Sequence, residues 1–232
     1  MHRIDHAAII DDLAASRGAH RTILDGLDPA RTAHIVVDLQ NGFMEPGAPV
    51  EVPTARGIVG NVNRISHALH DAGGVNIFLR YTTDPDMKNN WSVMLDRMGP
   101  AGEAHFNGFK PGQHYWELWP ELDVLPGDLV IDKWRFGAFI PGTCDLHAIL
   151  QQRGIDTLII TGTLSNCCCE STARDAMQLN YKVIFVADGN AAPSDEEHAT
   201  TLRNMGWLFG DLYDTNELVE GLKQHDRAPQ PA

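Results

Sequence analysis

DTLIITGTLSNCCCESTARDAMQLN, residues 156–180, is the stretch that decides the fold. It opens with a short run, DTLIITG (156–162), that is apolar and β-branched with no polar alternation. Such a run reads as a strand buried on both faces. Gly162 closes it, and residues 167–180 then follow a helical pattern. The same unit recurs on either side. HIVVDL (34–39), VNIFLRYT (75–82), DLVIDKW (128–134) and KVIFVAD (182–188) read as further strands, with a weaker one near 207–212. Helical patterns cover 55–72, 144–152, 194–205 and 215–223. Apolar strands alternating with helices imply an α/β, three-layer αβα, Rossmann-like architecture around a mostly parallel six-stranded sheet. One domain is expected over residues 31–225. A helical extension over 1–30, with an amphipathic helix at 5–25, precedes it, and a frayed tail, 226–232, follows.

One segment breaks the rhythm. Residues 84–127 carry Pro85, Pro100, Pro111, Pro120 and Pro126 together with Trp91, Trp116 and Trp119. An irregular segment of this length inside a domain reads either as a functional lid or as an interface arm.

The bulk numbers exclude several classes. A net charge of −13 repels phosphate backbones and anionic bilayers, so neither nucleic acid nor a membrane surface is an expected partner. No apolar run approaches the roughly 20 residues that a bilayer span needs. Acidic residues interrupt the N-terminal MHRIDHAAIIDDLAAS, which therefore does not read as a signal peptide, and the cytoplasm is the expected compartment. The four cysteines are Cys144, Cys167, Cys168 and Cys169. Three in a row suit neither a disulfide framework nor a CxxC metal site, leaving reactive or buried free thiols.

In open parallel sheets, ligands bind at the carboxyl ends of the strands. Asp38 ends the first strand, Lys133 the third, and Cys168 follows the fourth at the start of a helix. With Asn166 as N-cap, the helix N-terminus and a nearby ammonium would both favour a thiolate at Cys168. An adjacent carboxylate would serve as acid and base. Taken singly, the same residues have plainer readings: a capping Asp, a Lys reaching solvent, a helix Cys filling space. Adjacent helix positions point about 100° apart, so Cys167 and Cys169 are expected to face packing. Glu170 and Arg174 are spaced to pair on the helix surface.

Three segments, VVDLQNGF (36–43), IDKWRFGAF (131–139) and TGTLSNCCCESTARDA (161–176), resemble in order and register the isochorismatase-like hydrolases. The resemblance spans nearly all of the chain after residue 30. It implies the isochorismatase-like fold, a catalytic Asp38, Lys133 and Cys168, and a cis peptide between Thr163 and Leu164. It further implies an oxyanion hole from the backbone N–H groups of Leu164 and Cys168, and a homo-oligomer, dimer or tetramer. The middle cysteine is chosen because the family's nucleophile falls six residues after the strand-ending glycine, here Gly162.

True isochorismatases resemble the KWRFGAF segment but lack the cysteine, since vinyl-ether hydrolysis forms no acyl-enzyme. Cys168 therefore points to hydrolysis of a small amide or ureide of carbamoyl, biuret, triuret or ureido-acid type, with isochorismatase chemistry and a non-enzymatic thiol sensor as rivals. The nicotinamidase branch uses an Asp/His metal site after the second strand. Here that region reads TTDPDMKNNWSV (82–93) without histidine, so no metal and no cofactor is expected, Asp84 and Asp86 alone being a poor set. His105 and His114 are expected at the lid surface or against substrate. Asn41, Phe43, Asn90 and Trp134 are the candidate substrate contacts.

Overall fold

The computed structural model describes residues 1–17 and 21–226, so nearly all of the tail expected to fray lies outside the described residues. The chain begins with α1 (His6–Arg17), β1 (Thr32–Val37), α2 (Asn41–Met44), α3 (Val59–Asp71) and β2 (Val75–Tyr81). Three short helices follow, α4 (Met87–Asn90), α5 (Ser92–Met98) and α6 (Ala101–Gly108), before β3 (Leu129–Lys133) and α7 (Leu146–Gln152). Then come β4 (Thr157–Thr163), α8 (Glu170–Gln178), β5 (Lys182–Ala191), α9 (Asp195–Asn204), β6 (Asp211–Tyr213) and α10 (Thr215–Asp226).

All six strands run parallel in the order β3-β2-β1-β4-β5-β6. Alternate strand residues feed opposite cores, as the pleat requires. Ile35, Val37, Leu158, Ile160 and Phe185 pack beneath Ile9 and Ile10 of α1, Leu146 and Leu150 of α7, Ala173 of α8 and Leu202 of α9. Val36 and Phe78 pack on Val59 and Val62 of α3. Ile159, Ile184 and Val186 meet Ile65 and Leu69 of α3 and Leu218 and Leu222 of α10. Three layers result, and the strand order reverses between β1 and β4, where a ligand crevice opens in such sheets.

The largest departures from the sequence expectation are at the margins. Of the helix expected over 5–25, α1 forms His6–Arg17, residues 18–20 lie outside the described residues, and single 3₁₀ turns follow at Leu24–Gly26 and Pro29–Arg31. The Asp28 side chain accepts from the Ala30 N–H, holding the second turn just before β1. β5 runs on to Ala191 because the Asn190 amide donates to Ile160 O at 2.9 Å and Val186 O at 2.7 Å, bridging an irregularity beside Gly162. The last strand starts only at Asp211, since Met205–Phe209 forms a wide helical turn.

Gly162 is obligatory for local geometry. Its φ is 124°, and a Cβ there would sit 2.1 Å from Val37 O on the neighbouring strand.

Two histidines are buried in this frame. His34 on β1 shares hydrogen bonds with Thr161 Oγ1 at 2.7 Å and Ser66 Oγ at 3.2 Å, and burial holds its pKa down to about 3. His198 on α9 is bonded to Ser165 Oγ at 2.7 Å and Ala187 O at 2.9 Å, and burial lowers it likewise to about 3. The unfolded chain takes up protons at these positions near pH 6.5, whereas the folded chain does so only far below. Stability from this source is therefore complete above pH 6.5 and declines as pH falls. Between pH 7.5 and 5.5 the loss is about 1.4 kcal/mol per histidine, measured by urea denaturation, and His34→Gln is expected to flatten the slope.

Candidate active site

Asp38, Lys133 and Cys168 come from three different strand ends and meet at the switch point. Asp38 follows β1 with a φ of 52°, a left-handed conformation that Asp tolerates better than most residues. Its N–H donates to Leu79 O on β2 at 3.0 Å, which fixes the exit of the chain. Lys133 ends β3 in register with Tyr81 of β2. Its side chain is completely buried and reaches across β2 to place Nζ 2.7 Å from Asp38 Oδ2. Nζ also donates to Arg135 O at 3.0 Å, and neither Asp38 oxygen receives a well-aligned donor.

The segment after β4 is unusual. The Thr163–Leu164 peptide is cis, and Ser165–Cys169 forms a wide turn before α8. The Cys169 N–H donates five residues back to Leu164 O at 3.1 Å. Turns of this width inside helices are frequent at functional sites. They also change the expected start of the helix. Asn166 does not cap it; the residue sits within the turn, and its amide reaches Glu197 Oε1 at 3.4 Å. Cys168 and Cys169 are buried, and Cys169 belongs to the core.

Cys167 departs from expectation. It is half-buried, shares a hydrogen bond with the Cys168 thiol, and lines the same pocket. The wide turn rotates it away from the direction an ordinary helix would give. Glu170 and Arg174 pair as the spacing suggests, at 2.6 Å, and Glu170 Oε2 also accepts from Thr201 Oγ1.

The electrostatics follow from burial. Desolvation pushes the Asp38 carboxyl up, against the opposing pull of the Lys133 ammonium and the Cys168 thiol. Desolvation drags Lys133 down, but Asp38 and Cys168 more than offset it, so the ammonium stays charged. The bond to Cys167 and burial raise the Cys168 thiol well above its ordinary value, while Lys133 draws it back. The resting thiol is thus protonated beside a carboxylate able to take its proton.

Residues 84–127 fold over this floor as α4, α5 and α6 with an extended return. Gln40 ties the segment down. Its amide donates to Tyr81 O at 2.9 Å and Trp116 O at 2.8 Å, and its oxygen accepts from the Tyr81 N–H at 2.7 Å. Asn41 serves the same clamp, donating to His114 O at 3.0 Å, and does not line the pocket.

Under this roof lies a pocket of about 430 Å³ whose walls include Phe43, Val50, Trp91, Met94, Phe136 and Leu164, with Cys167 and Cys168 among its lining. Of the four candidate contacts, only Phe43 lines it. Asn90 is occupied elsewhere, donating to Asp84 Oδ2 at 2.6 Å and accepting from Arg135 at 3.1 Å. Trp134 follows Lys133 and, by the alternation of a strand, turns to a separate groove with Val130, Ile131 and Cys144. His114 is exposed, but His105 is buried and lines the pocket, as does Arg97, which the sequence did not single out. Asp84 is held by Asn90, the Asp86 N–H at 2.9 Å and Arg135 at 3.7 Å. Among the described residues, no three His, Cys, Asp or Glu side chains gather as a metal-binding group.

The model of the Isochorismatase domain matches residues 32–217, from the first residue of β1 into α10. This chain belongs to the isochorismatase family. Among its relatives are an uncharacterized isochorismatase family protein of Bacillus subtilis (33% identical, covering 85% of this chain and 97% of that one) and the ureidoacrylate amidohydrolase RutB of Methylobacterium radiotolerans (31%, covering 89% and 85%). A cysteine hydrolase from Pseudomonas syringae pv. phaseolicola superposes with a TM-score of 0.78 at 28% identity, covering 86% of this chain and 95% of its own. The N-carbamoylsarcosine amidase of Thermoplasma acidophilum shares the fold, with a TM-score of 0.64 at 24% identity over 81% and 98% of the two chains.

The buried ion pair beside Cys168 has a direct energetic signature. Removing one member of a buried pair leaves an uncompensated charge and costs about 3–5 kcal/mol, whereas removing both charges costs less. Lys133→Met is therefore expected to be more destabilised in urea than the double variant Asp38→Asn/Lys133→Met. The reverse order would place the two charges in contact with water.

Proposed function

We propose that this chain is a hydrolase of the C–N bond of a small carboxamide or ureide, working through a thioester on Cys168. One observation carries the reading: a buried carboxyl, a buried cation and a thiol converge from three strand ends, and the thiol lines a pocket. The amidohydrolase relatives support the same bond type.

Asp38 takes the Cys168 proton as sulfur attacks the substrate carbonyl carbon. Its freedom from aligned donors leaves a lone pair for that proton, and burial makes it a stronger base than an exposed carboxylate. The carbonyl π electrons move to oxygen, where the N–H groups of Leu164 and Cys168 are assigned to hold the charge. Asp38 then protonates the departing nitrogen, the C–N bond breaks, and ammonia or an amine leaves. Water attacks the thioester, giving its proton to Asp38, which returns it to the sulfur as the acid product departs. Lys133 opposes the effect of burial on Asp38 and steadies the thiolate as it forms. Cys168 is the nucleophile rather than Cys167, because its thiol is the one against Asp38.

Purified protein is expected to release ammonia from at least one member of an amide and ureide panel. Cys168→Ser lowers kcat by 10³-fold or more, since Asp38 is too weak a base for a serine hydroxyl, while Cys167→Ser keeps at least a tenth of it. Mass spectrometry of the quenched reaction places an acyl group on Cys168. An active Cys168→Ser variant, or pyruvate released from isochorismate with no amide turned over, would sink the proposal.

A further inference from the structure

The pocket reads its substrate differently from what a polar ureide requires. A ureide presents hydrogen-bonding groups along every edge, and each must find a partner when it leaves water. The walls here are Phe43, Val50, Trp91, Met94 and Phe136, and no side-chain amide or carboxylate lines them. The polar side-chain groups beyond the thiols and the Tyr81 hydroxyl are the Trp91 indole N–H, His105 from α6 and Arg97 from α5. That hydroxyl is turned to Met87 Sδ at 3.7 Å.

His105 is the telling residue. It is 4% exposed, and both ring nitrogens lack any hydrogen-bond partner. Its ring packs against Tyr81 and Phe109, with centroids 5.0 and 4.8 Å away, so its surroundings are aromatic and both nitrogens are covered yet unpartnered. A buried polar group without a partner is rare and calls for an explanation. Tyr81 connects it to the chemistry, because Lys133 Nζ stands 5.6 Å from the centre of the Tyr81 ring on the side of the reaction floor. Arg97 is exposed and makes no ion pair or hydrogen bond among the described residues.

Resting on the amide-hydrolase reading above, we infer that His105 is a specificity-determining residue. It receives one oxygen substituent, hydroxyl or carboxylate, of an otherwise apolar, ring-sized carboxamide, and Arg97 at the wall favours the carboxylate. Burial lowers the His105 pKa to about 4, so the ring is neutral at pH 7 and offers one N–H and one lone pair. An apolar body fills the aromatic walls, and the oxygen substituent supplies the partner that the protein withholds.

The experiment compares benzamide, 4-hydroxybenzamide, 3- and 4-carbamoylbenzoate and biuret as substrates of the wild type, His105→Phe, His105→Gln and Arg97→Gln. The expected result is that an oxygen-bearing benzamide has a kcat/KM at least tenfold above those of benzamide and biuret. His105→Phe lowers kcat/KM on the oxygen-bearing benzamides at least tenfold more than on benzamide, mainly through KM, and melts no lower than the wild type because two unpaired nitrogens are gone. His105→Gln restores part of the preference, and Arg97→Gln lowers kcat/KM on the carboxylates more than on 4-hydroxybenzamide. Biuret as the better substrate, or equal losses on benzamide and its substituted forms in His105→Phe, would overturn the inference. If no amide is turned over, the proposed function fails. The inference is then read by calorimetric binding of terephthalate and benzoate: tighter terephthalate binding that His105→Phe removes sustains it, and indifference to the substitution ends it.

Discussion

Two opposite charges, 2.7 Å apart and wholly out of water, organise this molecule. Burying either alone would cost several kcal/mol, and the pair is tolerated only because each satisfies the other at close range. That requirement disciplines the surrounding chain. β1 must end where Asp38 can turn inward, β3 must end where the Lys133 ammonium can reach it past Tyr81, and β2 must lie between them. The thiol joins as a third party, raised by Cys167 and by burial and drawn back by the Lys133 ammonium. Acid–base strength, thiol reactivity and sheet register are thus one problem with one solution, reached by the strand order β3-β2-β1-β4.

The roof over the site depends on the same floor. Gln40, two residues beyond Asp38, uses both ends of its amide to stitch β2 and the Trp116 region together, and Asn41 adds a further bond to the His114 carbonyl. The short chain that carries Asp38 therefore also carries anchor points of the cover, so the position of the carboxyl and the attachment of the cover depend on the same few residues.

How much of this was readable in the chain follows from the range of the forces involved. The strands were legible because burial on both faces leaves an unbroken apolar run. Asp38, Lys133 and Cys168 were legible as candidates because each terminates or follows such a run, and family resemblance selected the middle thiol. Trp134 and Asn90 illustrate where legibility ends. Trp134 neighbours Lys133 in sequence but lines a separate groove, and Asn90 is absorbed by Asp84 and Arg135, a long-range arrangement with no local signature. Cys167 escaped because its direction depends on a wide turn in place of an ordinary helix. His105 and Arg97 escaped because short helices rich in proline-bounded turns have no periodicity from which to read an inward face.

Gly162 sets a dimension of the active site by what it lacks. Val37 O occupies the place where its side chain would begin, so β1 and β4 approach as nearly as two backbones can. Asp38 is the next residue on one strand, and Cys168 stands six residues on from the other. The gap between the Asp38 carboxyl and the Cys168 thiol, the proposed proton acceptor and nucleophile, is therefore measured out by a missing carbon atom. Among all the positions that define this site, it is one that holds no functional group, and its chemistry consists entirely of absent volume.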